Sequence, residues 1–348
     1  MLSFSAQCLA HSASILDALS ALDALSGKMQ VLFVMDDEGC VVGSLTDGDI
    51  RRALVKGAKL TDAAQQVMHT SFAALRTTDT DHTATIRQLR QRQIFIVPLL
   101  DADGRLVKVY DLRHLHSILP IDAVLMAGGK GERLRPLTEK MPKPLLPVGG
   151  KAIIDHNVER LISFGVEQIS VTVNYLAEQL EEHFAQPIQG VQVRTVREPQ
   201  FLGTMGSVQF VESFQHDTIL VMNSDLFTDI DFEDFFLHFR QHKADLSVAA
   251  VPYTVSVPYG IMQLEGECVT GLMEKPRFNY YANAGIYLIR REALQHLPRN
   301  TYYDATDLIT DLVKEGRTVV RYPIGGTWID IGNPQEYQKA QDLARQRQ

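Results

Sequence analysis

The 348-residue chain has only three cysteines, Cys8, Cys40 and Cys268. They are odd in number and far apart, so neither a disulfide framework nor a metal knuckle is expected, and a reducing compartment fits. Positive charge is also short: 34 Lys and Arg against 42 Asp and Glu give a formal charge of −8 and a pI near 5.8. This argues against a nucleic acid or an anionic membrane as the main partner. A small anionic substrate needs only a local positive pocket. No apolar run approaches the ~20 residues that span a bilayer, and the start lacks a basic segment followed by a long apolar one. A cytoplasmic protein without a membrane partner is therefore expected. No glycine- or proline-rich linker divides the chain. Its length nevertheless predicts two domains, and 45% hydrophobic content is enough for a core in each. Leu119-Pro120 marks the boundary, giving domains 1–119 and 120–348.

The densest chemistry lies in IDAVLMAGGKGERLRPLTEKMPKPLLPVGG, from Ile121 to Gly150. An apolar run, Ile121 to Ala127, enters a turn containing Gly128, Gly129 and Gly131, as a buried strand does. Backbone amides in such a turn can face phosphate oxygens. Arg133 and Lys143 add positive charge. The spacing matches neither the G-x-x-x-x-G-K-[ST] phosphate loop nor the dinucleotide G-x-G-x-x-G.

The rest of this half alternates in the manner of a doubly wound, mostly parallel α/β sheet. Strands are expected at Gln168 to Val173, Val191 to Arg197, Thr218 to Met222 and Asp245 to Pro252. Helices are expected at Ala152 to Phe164, Leu176 to Phe184, Phe232 to His242 and Pro334 to Arg347. Ligands gather at the carboxyl ends of such strands. Asn223-Ser224-Asp225 follows one of them, and Trp328-Ile329-Asp330-Ile331-Gly332 precedes the last helix.

The strand, the G-G-x-G-x-R turn and Pro142-Lys143-Pro144 together resemble the sugar-1-phosphate nucleotidylyltransferases, with Glu132 standing where Thr is commoner. The resemblance covers nearly all of Ile121 to Gln348 and implies a Rossmann-like nucleotidyltransferase fold. It implies that Leu125, Ala127, Gly128, Gly129, Gly131, Arg133, Glu198, Gly203 and Thr204 meet a nucleoside triphosphate, and that Arg133, Lys143 and Asp225 are catalytic. Asp225 and Asp330 would hold Mg²⁺. Tyr259-Gly260, Glu274-Lys275 and Asn283 would meet a sugar 1-phosphate. A homo-oligomer is also implied.

The resemblance implies that choice of base falls to Arg197-Glu198-Pro199-Gln200-Phe201-Leu202-Gly203-Thr204. A carboxylate only accepts, so Glu198 suits the adjacent donors of guanine and GTP is expected, as in mannose-1-phosphate guanylyltransferases. The alternative is that Glu198 bonds backbone amides. Thymidylyl, uridylyl or cytidylyl transfer, and a catalytically silent nucleotide-sugar sensor, are the competing readings.

The first half is a tandem repeat. A helix from about Ser14 to Ser26, stopped by Gly27, leads to Val31 to Val34, a turn at Asp36 to Gly39, a strand through Val41-Val42 and a helix from Asp49 to Lys56. The order returns with a helix near Thr83 to Arg92, a strand at Ile94 to Val97, the Asp101 to Gly104 turn, a strand at Leu106 to Tyr110 and then Leu112 to Leu115. The repeat resembles an α+β pair of CBS domains, which often bind an adenosine nucleotide. Thr46 and Asp49 match the family's ligand contacts, whereas Lys108, Asp111 and His114 replace the site in the second copy. A regulatory module is implied. The alternative is a structural or dimerising pair in which Asp49 caps a helix.

Overall fold

The structure is a computed structural model describing residues 4–25 and 30–347. Ser26 and Gly27, expected to end the first helix, lie outside the described residues. Contacts divide the chain into two compact units, Met1–Leu119 with Ser163–Gly165, and Pro120–Ile162 with Val166–Gln348.

In the first unit, β1 (Cys8–Ala10), α1 (Ile15–Ala24), β2 (Leu32–Met35), β3 (Val41–Leu45) and α2 (Asp47–Val55) form one copy. The second comprises β4 (Leu75–Arg76), α3 (Thr83–Gln91), β5 (Ile96–Leu100) and β6 (Leu106–Asp111). Each copy has a three-stranded sheet whose first pair is parallel and second antiparallel. The repeat in sequence is thus a repeat in topology. Ser14 and Asp17 start α1 as a reciprocal capping box. The hairpin turns meet, with the Val41 amide donating to the Gly104 carbonyl at 2.9 Å, and Phe33, Val41 and Leu100 are buried together. Leu112 to His114 is a turn where the first copy has α2. Leu112 is instead buried with Leu75, Ile86 and Val97, so its place is taken by packing.

The second unit runs β7 (Ile121–Met126), β8 (Pro147–Val148), β9 (Lys151–Ala152), α4 (Ile153–Ser163), β10 (Gln168–Val173), α5 (Ala177–His183), β11 (Val193–Arg197), the short α6 (Gly203–Gly206), β12 (Thr218–Asn223) and β13 (Leu226–Thr228). Next come α7 (Phe232–Gln241), β14 (Leu246–Ser256), β15 (Ile261–Glu265), β16 (Cys268–Met273), β17 (Arg277–Arg290), α8 (Ala305–Lys314), β18 (Val319–Pro323), β19 (Trp328–Asp330) and α9 (Pro334–Gln346). Seven strands pair in the order β11-β10-β7-β12-β17-β14-β18. The first five residues of β7 are all buried, as the continuous apolar run of a central parallel strand requires. Only β17 runs against its neighbours. Sequence reasoning missed it because Gly285 interrupts an otherwise strand-like aromatic and aliphatic run.

Beyond the sheet, β14 and β17 continue as a two-stranded ribbon in which Tyr253 pairs with Tyr280. The β15–β16 hairpin follows it. Tyr253, Met262, Leu264, Val269, Leu272 and Tyr280 are all exposed there.

Candidate active site

The site assembles where β7 and β12 end side by side. The Ser224 amide and hydroxyl both donate to the Met126 carbonyl, at 3.2 and 2.6 Å, tying the two strand ends together. From α4, Asn157 donates to the carbonyls of Leu226 and Ser224 at 2.8 and 3.3 Å. This buried amide, missed by sequence reasoning, grips the segment on either side of Asp225. Its signal was a lone Asn among the apolar Ile153, Ile154, Val158 and Leu161 of one helix.

After β7, Gly131 adopts φ +62, which a side chain would strain, and a β-carbon there would crowd Thr138 and Lys143. The Thr138 hydroxyl donates to the Gly131 carbonyl at 2.8 Å and fixes the turn. Lys143 then enters a short helical turn, Lys143–Leu145, and is itself buried. Leu125 lies wholly inside the sheet, between β10 and β12, and its side chain belongs to the core.

Asp225 and Asp330 meet through a small sheet of their own. β13 pairs antiparallel with β19, placing Leu226 opposite Asp330, and the Ile331 amide donates to the Asp225 carbonyl at 3.2 Å. Lys143 Nζ donates to Oδ2 of Asp225 and lies 4.0 Å from Oδ1 of Asp330. Burial, and then the neighbouring Asp225, push the Asp330 carboxyl above its usual range against the pull of Lys143 and Arg133. Asp225 Oδ1 is buried without a hydrogen-bond partner. The Arg133 guanidinium lies 3.2 Å from the point where a β-carbon on Gly332 would stand. Catalytic and metal candidates from four segments thus converge.

The two carboxylates fit a hard divalent cation. Mg²⁺ is commonly held by one or two carboxylates, with phosphate and water oxygens completing its shell, and the orphaned Asp225 Oδ1 offers it an uncommitted acceptor. Among the described residues no group of three or more His, Cys, Asp or Glu could hold a metal.

Glu198, at the end of β11, is 4% exposed. Its Oε2 accepts from the Leu202 amide at 3.2 Å, while Oε1 closes on the space that a side chain on Gly128 would fill. Burial lifts its carboxyl to about 7, opposed by the Leu202 bond. Thr204 is held by Asp304, which accepts from its amide at 3.0 Å, and a β-carbon on Gly203 would crowd the same carboxylate.

Four of the sugar-phosphate candidates lie together. Pairing of Ile261 with Met273 brings Tyr259-Gly260 beside Glu274-Lys275, and a β-carbon on Gly260 would stand 3.0 Å from Glu274 Oε2. Tyr259, Glu274 and Lys275 are exposed. Asn283 lies on β17 and accepts from the Gly285 amide at 3.0 Å.

In the first unit, Thr46 and Asp49 face each other. The Thr46 hydroxyl donates to Asp49 Oδ2 at 2.5 Å, the Thr46 amide donates to the same oxygen at 2.9 Å, and Arg52 pairs with Oδ1. Together they cap α2. In the second copy Lys108 lies over the Tyr110 ring and Asp111 pairs with Arg113.

A doubly wound sheet with a glycine turn after β7, Asp225 after β12 and Asp330 brought to it by β19 is an arrangement suited to a ligand at the carboxyl ends of the strands. The chain belongs to the nucleotidyl transferase family, whose family model matches residues 122–347, and the CBS domain model matches residues 6–56. It is 29% identical over 224 residues to the mannose-1-phosphate guanylyltransferase catalytic subunit beta of Danio rerio, an alignment covering 62% of each chain. It is 30% identical over 222 residues to the bifunctional protein GlmU of Methanocaldococcus jannaschii, covering 62% of this chain and 52% of that one. The chain thus spans less than two thirds of the length of either relative. The fold is shared with HddC from Yersinia pseudotuberculosis, with a TM-score of 0.51 and 24% identity over 64% of this chain and 98% of that one. Among the described residues no helix is long and apolar enough to cross a membrane.

Proposed function

We propose that the chain transfers a nucleotidyl group, with GTP favoured, to a hexose or amino-hexose 1-phosphate. The observation that carries this reading is Lys143 between Asp225 and Asp330 beside the Gly128–Gly131 turn, in a member of the nucleotidyl transferase family. An oxygen of the sugar phosphate attacks the α-phosphorus, a new P–O bond forms, the α–β bridge breaks and pyrophosphate leaves. No side-chain nucleophile is needed. The amides of Gly128, Gly129 and Gly131 and the guanidinium of Arg133 hold the β- and γ-phosphates, and Lys143 neutralises charge growing at the α-phosphate. Asp225 and Asp330 would hold Mg²⁺, which would polarise phosphate oxygens as a Lewis acid. Tyr259, Gly260, Glu274, Lys275 and Asn283 receive the sugar phosphate.

Guanine is favoured by Glu198, which accepts when ionised, and by the name of the Danio rerio relative. With Oε2 engaged by Leu202, Oε1 carries the reading of the base. The first unit is assigned a regulatory role, with an adenosine nucleotide at Thr46 and Asp49. The whole scheme is tested by a pyrophosphate-release screen crossing GTP, UTP, dTTP and CTP with a panel of sugar 1-phosphates. Turnover should be highest with GTP; no pyrophosphate from any pair would remove the assignment.

A further inference from the structure

Lys143 stands where a cation is wanted. Its ammonium touches Asp225, lies 4.0 Å from Asp330, and belongs to a side chain only 10% exposed. Two carboxylates this close, partly withdrawn from water, repel each other unless positive charge sits between them. In the structure that charge is the Lys143 ammonium, assisted by the Arg133 guanidinium that also draws on Asp330. Glu336 also acts on Asp330, so the acids around it outnumber the two bases by one.

We propose that Lys143 is the resident counter-ion of the Asp225–Asp330 pair, holding the divalent position until a phosphate accepts its ammonium, so that the cation loads with the triphosphate and not before it. The inference rests on the metal-site reading given above. Its physical basis is competition. A divalent ion arriving alone must expel Lys143 from its only two ion-pair partners, Asp225 and Asp330, among the described residues. An arriving triphosphate reverses that penalty, because its oxygens receive the ammonium while both carboxylates turn to the cation. Lysine suits the exchange. Its charge sits on a four-carbon stem that can swing between acceptors, which the rigid guanidinium fork of arginine does less readily. Linkage then requires that cation and triphosphate raise each other's affinity by the same factor.

The test uses Mn²⁺ as the probe, titrated into the full chain and read by electron paramagnetic resonance of the free ion. Without nucleotide, Lys143→Met should bind Mn²⁺ at least about tenfold more tightly than the wild type, a change typical of a coupled pair of sites. Lys143→Gln should show the same gain and carries the test should the methionine variant not fold. Lys143→Arg, which keeps the charge, should show none. Adding Asp225→Asn to Lys143→Met should erase the gain. If both neutral variants bind Mn²⁺ no better than wild type, while wild type with GTP takes up Mn²⁺ in an Asp225-dependent way, the counter-ion role is wrong and the metal site stands. If Asp225→Asn alters Mn²⁺ uptake neither with GTP nor without it, the metal site itself is wrong.

Discussion

The amide and the hydroxyl of Thr204 both donate to Oδ1 of Asp304, at 3.0 and 3.3 Å, across a separation of 100 positions. The Thr204 hydroxyl in turn accepts from the Ala305 amide at 2.7 Å, so the Gly203 turn and the start of α8 cap each other. Asp304→Ala should therefore loosen the segment proposed to meet the base. Loss of this cap costs about 1–2 kcal/mol of stability, and the KM for the triphosphate should rise more than kcat falls. Melting curves with steady-state kinetics check it; a pure kcat effect would put Asp304 elsewhere in the mechanism.

Asp225→Asn and Asp330→Asn each remove one charge from the carboxylate pair. Turnover should fall by about two orders of magnitude or more, the scale of lost electrostatic stabilisation at a reacting phosphate. Far-ultraviolet dichroism should be unchanged. Near-normal turnover in both variants would dismiss the pair as the reacting centre.

Glu198 gives a stability signature that is independent of turnover. Its folded carboxyl is raised from the ordinary value of 4.5 to about 7. A raised acid favours the protonated fold, so its contribution is full below about pH 4.5 and is lost as pH climbs through about 7. Glu198→Gln cannot ionise. The variant should gain melting temperature relative to wild type between pH 5 and pH 8, and should lose GTP use by more than UTP use. A constant offset at every pH would mean that the carboxyl is not perturbed.

A nucleotide at the first unit must take Thr46 and Asp49 from each other. Calorimetry of the full chain with AMP and ATP should show binding in the wild type and none in Asp49→Ala, which also loses a helix cap worth ~1 kcal/mol. No heat in the wild type would leave Asp49 as a cap alone.

What was legible in the sequence was local. The β7 run, the glycine turn, Pro142-Lys143-Pro144 and the strand before Asp225 each declare themselves within a few residues, and the repeated turns at Gly39 and Gly104 exposed the tandem unit. What was hidden depends on pairing over long distances. The two-stranded β13–β19 sheet is too short to show as periodicity, yet it brings Asp330 to Asp225. Asn157 looks like one polar residue in an apolar helix until the strand end it holds is seen. The Thr46–Asp49 pair shows the limit in the other direction, since one spacing serves both a capping box and a ligand contact.

The β13–β19 pairing also sets an order of events during synthesis. Lys143 lies 82 positions before Asp225, and Asp330 comes far later still, joined to Asp225 only when β19 is laid beside β13. A chain growing from the ribosome at about 5–20 residues per second therefore completes the Gly128–Gly131 turn and Asp225 several seconds before Asp330 is made. Through that interval the side-chain partner that Asp225 has in the finished fold, Lys143, is already made, whereas Trp328 to Asp330 are not.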